Sequence, residues 1–325
     1  MRASVNRVYG PPSLISIEEI EKPTVKSNEV MVKVHYSSVN RTDCGFLRGK
    51  PFIARFFTGI PKPKYSALGC EFSGVVESVG VSVKRFKVGD RVFGFDDSRF
   101  GGHAEYKTIN EDAMIQKVPK NITLQQAAVA LEGAHYALFY IYKMPKSDDT
   151  KVFVNGGTGA IGSAGIQILK AMGYYVEASA TTKQVEQVKK LGADMVIDWQ
   201  KNDIEKSASR CDVYFDAVGK SSFKQARKIL KPGGMYMSSE LGAHGQNPLL
   251  ALVNPIQKLF TKCDIFFPIP KTRRLESDRI VRLMEKGEFT PLIDKQYSFE
   301  QIPQAFTYVE TGKKNGNVLV RIDQG

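Results

Sequence analysis

Residues 30–38, VMVKVHYSS, put Val30, Val32 and Val34 on one side of an alternating pattern and Lys33 on the other. That period of two is the signature of a half-buried strand. Runs of the same kind recur at 74–79 (GVVESV), 90–94 (DRVFG) and 104–110 (AEYKTIN), set off by Gly and Pro. About the first 115 residues therefore predict a compact, all-β, barrel-like unit.

From about residue 122 the rhythm changes to helix and strand in alternation. A strand is predicted at Val152 to Val154 and a helix at Ala160 to Met172, closed by Gly173, which tolerates the left-handed cap conformation. There follow a strand at 174–179, a helix at 183–191 closed by Gly192, and strands at 195–198 and 213–216. A helix at 222–230, a KPGG turn at 231–234 and a strand at 235–238 complete the series. Such alternation implies parallel strands joined by crossover helices in a doubly wound α/β sheet. The tail from about residue 264 predicts helices at 276–286 and 300–310 and a last strand at 318–322, able to return to the first unit.

At 325 residues the chain exceeds the ~250–300 at which one core stops growing, so two domains are expected. Hydrophobic residues at 42% and charged residues at 25% describe a chain that folds. A net charge of +12 raises nucleic acid as a partner, but Lys and Arg are spread along the chain, with only short groups such as Lys271, Arg273 and Arg274. The charge suits an anionic small ligand better than a nucleic acid. The cysteines Cys44, Cys70, Cys211 and Cys263 form no CxxC pair, which implies free thiols in a reducing cytoplasm. Neither an export signal at Met1 to Gly10 nor an apolar run of ~18 residues is seen, so no membrane span is expected.

The stretch 151–173, KVFVNGGTGAIGSAGIQILKAMG, holds Gly157-Thr158-Gly159-Ala160-Ile161-Gly162 between a predicted strand and a predicted helix. In that context Gly157 is expected to make the tight turn, Gly159 to admit a diphosphate, and Gly162 to let the helix close on the sheet. The diphosphate would lie at the positive end of the helix. About 20 residues on, where an acid would bind a free ribose hydroxyl, stand Thr181, Thr182 and Lys183, with Glu177 too early in the strand. Two hydroxyls and a cation suit a 2′-phosphate, so NADPH is expected over NADH.

With these motifs the chain resembles the medium-chain dehydrogenase/reductase superfamily, in its zinc-free quinone oxidoreductase-like group. The resemblance runs over nearly the full length: SSVNRTD at 37–43, ALGCEFSGVVESVG at 67–80, FKVGDRVFG at 86–94, GGHAEY at 101–106, VNGGTGAIG at 154–162, LGADMVID at 191–198, FDAVG at 215–219 and LKPGGMY at 230–236. It implies a GroES-like catalytic barrel at 1–121, a Rossmann NADP-binding domain at 122–263, and a segment 264–325 returning to the barrel, with the active site in the cleft. It also implies cofactor contacts from Trp199 and Val218. A homodimer is expected by analogy, through strand 235–238 as a sheet edge.

Positions that hold catalytic zinc in metal-dependent relatives look like Asn40, Cys70 followed by Glu71, and Glu132. Asn40 is a poor ligand and no His is present, so no metal is expected. Without that Lewis acid, alcohol oxidation is disfavoured. Hydride delivery to an already electrophilic quinone or α,β-unsaturated carbonyl fits, with a hydrogen-bond donor for the developing charge. By the resemblance Asn40 and Thr42 face the nicotinamide, and Asp43 fixes their loop. Tyr136 is a candidate donor of a proton, with packing at the domain junction as its plainer role. Arg41, Glu132, His135 and Asn317 depart from the family pattern, and Lys314 is a neighbouring cation that stands in for the usual Lys or does not.

Two apolar, basic segments, 50–64 and 247–260, fall where relatives vary the substrate site. Phe52, Phe56, Phe57, Leu252 and Phe260 are read as the wall of a site for a small hydrophobic electrophile, as local core, or as a peripheral membrane patch. The leading reading is an NADPH-dependent, zinc-independent quinone and enone oxidoreductase. Beside it stand an NADPH-binding sensor or partner-binding protein without turnover, and a zinc-type alcohol dehydrogenase with an unusual Cys70, Glu71 and Glu132 site.

Overall fold

A computed structural model describes residues 1–64, 67–145, 149–239, 246–267 and 274–323, with only the backbone described at Ile53, Phe57, Gln246 and Pro248. Lys271 and Arg273, and the side chain of Phe57, thus lie outside the described residues. The chain divides into two compact units: Met1–Glu132 with Thr272–Lys286 and Thr290–Gly325, and Gly133–Lys271 with Gly287–Phe289.

The first unit is built on a seven-stranded sheet. Its central strand, Glu29–Val39, pairs antiparallel with Glu71–Val79, Tyr106–Asn110 and, from far along the chain, with the late strand Asn317–Arg321, where Val318 faces Val39. Asn317–Arg321 in turn pairs parallel with Ile293–Ser298, the two being joined through helix Ile302–Glu310. Val30, Val32 and Val34 are buried, as the alternation predicted. An ion pair is sealed inside this unit: Lys107 Nζ lies 2.9 Å from Asp96 Oδ2, and both side chains are buried. The sequence pattern missed the short strands Arg2–Val5, Ser16–Glu19 and Ile115–Lys117, each four residues or fewer.

The second unit holds a six-stranded, wholly parallel sheet. In spatial order the strands are Met195–Asp198, Tyr175–Ala180, Lys151–Asn155, Cys211–Asp216, Leu230–Ser238 and Asp264–Phe266. This is the doubly wound order, with its reversal beside Lys151–Asn155, the place where open α/β sheets bind ligands. Phe153, Tyr214 and Tyr236 pack on one another within the core, ring centroids 5.0 and 5.9 Å apart.

Three expectations change. The KPGG segment is not a free turn but lies inside strand Leu230–Ser238, where the pairing with Cys211–Asp216 shifts register and Gly233 takes φ 84°. The helix predicted at 222–230 shrinks to Phe223–Ala226 because the strand starts at Leu230. Strand 235–238 is no sheet edge, since Asp264–Phe266 pairs along it.

Helices Gln246–Leu252 and Asn254–Thr261 carry Leu249, Leu252, Ile256, Leu259 and Phe260 on exposed faces, Phe260 being 83% exposed. Phe52 and Phe56 are exposed too, so none of these side chains is local core. No helix among the described residues is long and apolar enough to cross a membrane.

Candidate active site

The glycine-rich turn leaves strand Lys151–Asn155 and enters helix Ala160–Ala171. The left-handed residue is Gly156, at φ 84°, so the tight turn belongs to it and not to Gly157. A Cβ on Gly157 would sit 3.0–3.3 Å from Ile166, Val188 and Ala178, which makes Gly157 a packing residue. A Cβ on Gly162 would lie 2.1 Å from Gly156 O, so Gly162 is required for the helix to close on the turn. Gly159 differs: a Cβ there meets nothing nearer than 3.7 Å. It caps the helix in extended conformation without any side-chain cap. The open space and the uncapped N–H groups form an anion cradle at the positive end of a twelve-residue helix. The residues present therefore fit a dinucleotide diphosphate.

Side chains that the sequence reading overlooked hold this turn. Gly156 N–H donates to Ser179 Oγ over 3.0 Å, and Ser179 donates to Asn155 Oδ1 over 2.8 Å. Asn155 donates to Asp216 Oδ1 over 3.0 Å, and the same oxygen accepts from Gly219 N–H. Asp216 thereby fixes the loop bearing Val218, whose Cγ1 lies 2.3 Å from where a Gly156 Cβ would be. Burial raises the Asp216 carboxyl above its ordinary value, while its hydrogen bonds oppose the shift.

At the end of strand Tyr175–Ala180 the structure gathers Thr181, Thr182, Lys183 and Trp199. Trp199 N–H donates to Ala180 O over 3.1 Å. Thr182 donates to Asp198 Oδ2 over 2.7 Å, and its N–H reaches Gln200 Oε1. Thr181 donates to Gln184 Oε1 over 2.8 Å. Lys183 is exposed, and Trp199 presents half its surface to solvent. Asp198, an acid on the next strand, is the neighbour the sequence reading did not consider.

In the first unit Asn40 opens helix Arg41–Arg48, which the sequence reading took for a loop. Asn40 N–H donates to Asp43 Oδ2 over 2.9 Å, and Asp43 Oδ1 accepts from Cys70 N–H over 3.1 Å. Asp43, with no solvent exposure, is thus an acceptor that ties the helix start to the chain before Glu71. The Asn40 carboxamide is fully engaged: Nδ2 donates to Glu132 Oε2 (3.0 Å) and Glu71 Oε2 (3.2 Å), and Oδ1 accepts from Lys314 Nζ (2.8 Å). Thr42 Oγ1 donates to Glu132 Oε1 over 2.5 Å, and Thr42 is half-buried.

Glu71 caps helix Leu131–Ile141 with Oε1, which accepts from the N–H groups of Leu131 and Glu132 over 2.8 Å each. Its Oε2 also accepts from Ser38 Oγ over 2.9 Å. Burial raises both Glu71 and Glu132 above the ordinary carboxylate range, and for Glu132 the Glu71 charge adds to the effect. Burial lowers Lys314, against the pull of Glu132. Two carboxyls that share one amide group and one nearby cation do not both ionise easily.

This set does not fit zinc. Both oxygens of Glu71 are committed to N–H and O–H donors, and an ammonium already faces the cluster through Asn40. Among the described residues no group of three His, Cys, Asp or Glu could hold a metal ion.

Tyr136 is half-buried on helix Leu131–Ile141, beside His135 at a ring separation of 5.5 Å. That helix approaches the cofactor turn closely at Gly133, where a Cβ would lie 2.6 Å from Ala160 O. Burial lowers His135 to about 4, so its imidazole is neutral at physiological pH.

The chain is similar to known proteins over most of its length. The Alcohol dehydrogenase GroES-like domain family matches residues 26–120, and the Zinc-binding dehydrogenase family matches residues 191–320. An NADPH-dependent alkenal/one oxidoreductase of Arabidopsis thaliana, described as chloroplastic, is 30% identical over 98% of this chain and 79% of its own. A 2-methylene-furan-3-one reductase of Solanum lycopersicum is 29% identical over 96% of this chain and 76% of its own. Among solved structures, the quinone oxidoreductase from Coxiella burnetii superposes with a TM-score of 0.87 at 23% identity, over 99% of both chains. With a barrel-type unit, a parallel sheet bearing a dinucleotide turn, and relatives aligned over nearly its whole length, the chain belongs to the medium-chain dehydrogenase/reductase superfamily.

Proposed function

We propose that this chain is an NADPH-dependent reductase of quinones and α,β-unsaturated carbonyl compounds that works without a metal. The observation that carries the reading is the open, uncapped helix start at Gly159, coupled to a strand end that offers Thr181, Thr182 and Lys183. Relatives named for alkenal/one and furanone reduction support the same substrate class.

When bound, NADPH supplies a hydride from its nicotinamide. The chain's own residues then have separable tasks. The N–H groups from Gly159 to Gly162 hold the diphosphate, and Val218 with the Asp216-fixed loop shapes the turn. Thr181 and Lys183 recognise the 2′-phosphate, and Trp199 offers an aromatic face to the adenosine. Thr42, the half-buried member of the polar cluster, donates to the substrate oxygen as charge develops there, while Asn40 holds the cluster together. Tyr136 is a second hydroxyl proposed for that oxygen. The substrate is a small apolar electrophile. All four cysteines are free and buried, which suits a reducing cytoplasm.

The test is NADPH oxidation by the purified protein against quinones, enals, enones and simple aldehydes, with NADH in parallel. Turnover with quinones or enones and a preference for NADPH supports the reading. Bound NADPH with no turnover on any acceptor overturns it and leaves the sensor reading.

A further inference from the structure

A line of hydrogen-bonded groups runs inward from Thr42. Its hydroxyl donates to Glu132 Oε1 over 2.5 Å, Glu132 Oε2 accepts from Asn40, and Asn40 Oδ1 accepts from the ammonium of Lys314. Glu132 is 6% exposed and Asn40 3%, whereas Thr42 is only half-buried. The line therefore has one end near solvent and the other at a cation. Lys314 is anchored a second time, donating to Gly316 O over 2.9 Å.

We propose that this line is the proton supply of the reduction: Glu132, as the neutral acid, passes its proton through the Thr42 hydroxyl to the reduced substrate, and Lys314 fills the electrostatic place that metal-dependent relatives give to a cation. The proposal rests on the reductase reading above and names its proton source.

The electron count closes. Hydride adds to the electrophilic carbon, the π electron pair moves to the carbonyl oxygen, and an enolate or hydroquinone anion results. With the proton on Glu132 Oε1 the donor of this contact becomes the acid, so Thr42 turns its hydroxyl toward the anion, gives it that proton and takes the proton of Glu132 Oε1. The Glu132 carboxylate left behind keeps the Asn40 N–H and the nearby Lys314 ammonium, and it regains a proton from water. The net reaction is NADPH, one proton and the enone or quinone going to NADP⁺ and the reduced product.

The groups facing Glu132 agree with a stored proton. From strand Glu71–Val79 comes the Glu71 carboxylate, and from helix Arg41–Arg48 comes Asp43, both negative, while Lys314 is the opposing positive charge. Burial and these two carboxylates raise Glu132 and outweigh the Thr42 hydrogen bond and the Lys314 charge, so the neutral acid persists beyond the ordinary carboxylate range of ~4.3. Thr42 touches the substrate in this scheme. Glu132, Asn40 and Lys314 act through it and are positioning residues.

The experiment is the pH profile of kcat for the native enzyme, Glu132→Gln, Glu132→Asp, Thr42→Val and Thr42→Ser with an enone, each checked for native far-UV circular dichroism. The native kcat is expected to fall as pH rises through one ionisation lying above ~4.3. Glu132→Gln and Thr42→Val should lower kcat by about 10²-fold with little change in the KM for NADPH. Glu132→Gln should also abolish the alkaline limb, whereas Glu132→Asp and Thr42→Ser should restore part of the rate. A native profile without that limb, or a Glu132→Gln enzyme that keeps both kcat and the limb, overturns the proposal. The native profile needs no variant, so misfolding of one does not rescue it. A native enzyme inactive on every acceptor would refute the reductase reading itself, a different outcome from an active enzyme indifferent to Glu132.

Discussion

Lys314 and Asn40, 274 positions apart in the chain, meet at 2.8 Å, with the ammonium donating to the carboxamide oxygen. The contact joins the start of helix Arg41–Arg48 to the segment before strand Asn317–Arg321. Removing the ammonium would leave a buried carboxamide oxygen without its charged donor. Lys314→Met is therefore expected to destabilise the protein by about 2 kcal/mol. Urea unfolding followed by fluorescence measures this; an unchanged midpoint would mean that the cluster relaxes around the loss.

Gly159 and Gly162 separate binding from folding. Gly162→Ala drives a methyl group into Gly156 O and should lower the thermal midpoint markedly. Gly159→Ala meets no atom within 3.7 Å and its backbone is already extended, so the fold should survive. The methyl group would instead occupy the anion cradle and weaken NADPH binding by roughly tenfold or more. Calorimetric titration beside a melting curve distinguishes the two variants. Equal behaviour would refute the assignment of Gly159 to the diphosphate.

Lys183 is exposed at a strand end where Thr181 and Thr182 are already engaged by Gln184 and Asp198. Its loss should thus cost coenzyme choice more than structure. Lys183→Glu is expected to raise the KM for NADPH by about 10- to 100-fold, as loss of a charge-assisted contact implies. The KM for NADH should move far less. Parallel titration of both coenzymes checks this, and an equal shift in the two would dismiss Lys183 as a phosphate ligand.

Acid sensitivity has two parts. Asp96 is held below the usual carboxylate range, because the buried Lys107 ammonium and the Ser98 and Arg99 donors outweigh its desolvation. A depressed carboxylate contributes stability above its unfolded value of ~3.9, and that contribution drains away as pH falls further. His135 has its pKa lowered to about 4 by burial, so between ~6.5 and that value the unfolded chain binds the extra proton and stability falls with pH. His135→Phe should flatten the mildly acidic limb, and Asp96→Asn the strongly acidic one. Denaturation midpoints across pH would show whether each limb responds to its own variant alone.

The parallel sheet and the nucleotide turn were legible because periodicity, capping glycines and the strand-to-helix context all concern neighbours in sequence. What escaped depends on approach in space. Two adjacent glycines share the turn, and only the backbone angle of Gly156 says which one bends. KPGG has turn composition and is unpaired in the register, but it is a bulge within Leu230–Ser238, whose Leu230 pairs with Cys211 and whose Met235–Ser238 pair on both sides or one. Asn40, Glu71 and Glu132 were marked as the places of a lost metal site. Lys314 stood out only as a neighbour of the substituted Asn317, and its partner, Asn40, lies too far along the chain for sequence pattern to reveal; the late strand Asn317–Arg321 returns to Glu29–Val39 and brings the two together. Asp216, Asn155 and Ser179 were missed for the same reason, since their chain of hydrogen bonds crosses three strands.

The exposed faces of Gln246–Leu252 and Asn254–Thr261 bear on how the protein behaves at the bench. With a net charge of +12, molecules in dilute buffer repel one another before Leu252, Leu259 and Phe260 can touch another surface. That repulsion reaches only ~3 Å at 1 M salt, against ~10 Å at 0.1 M. Sulfate at the same time strengthens contacts between apolar groups. The protein should bind tightly to a phenyl matrix in ammonium sulfate, salt out early, and redissolve when the salt is withdrawn.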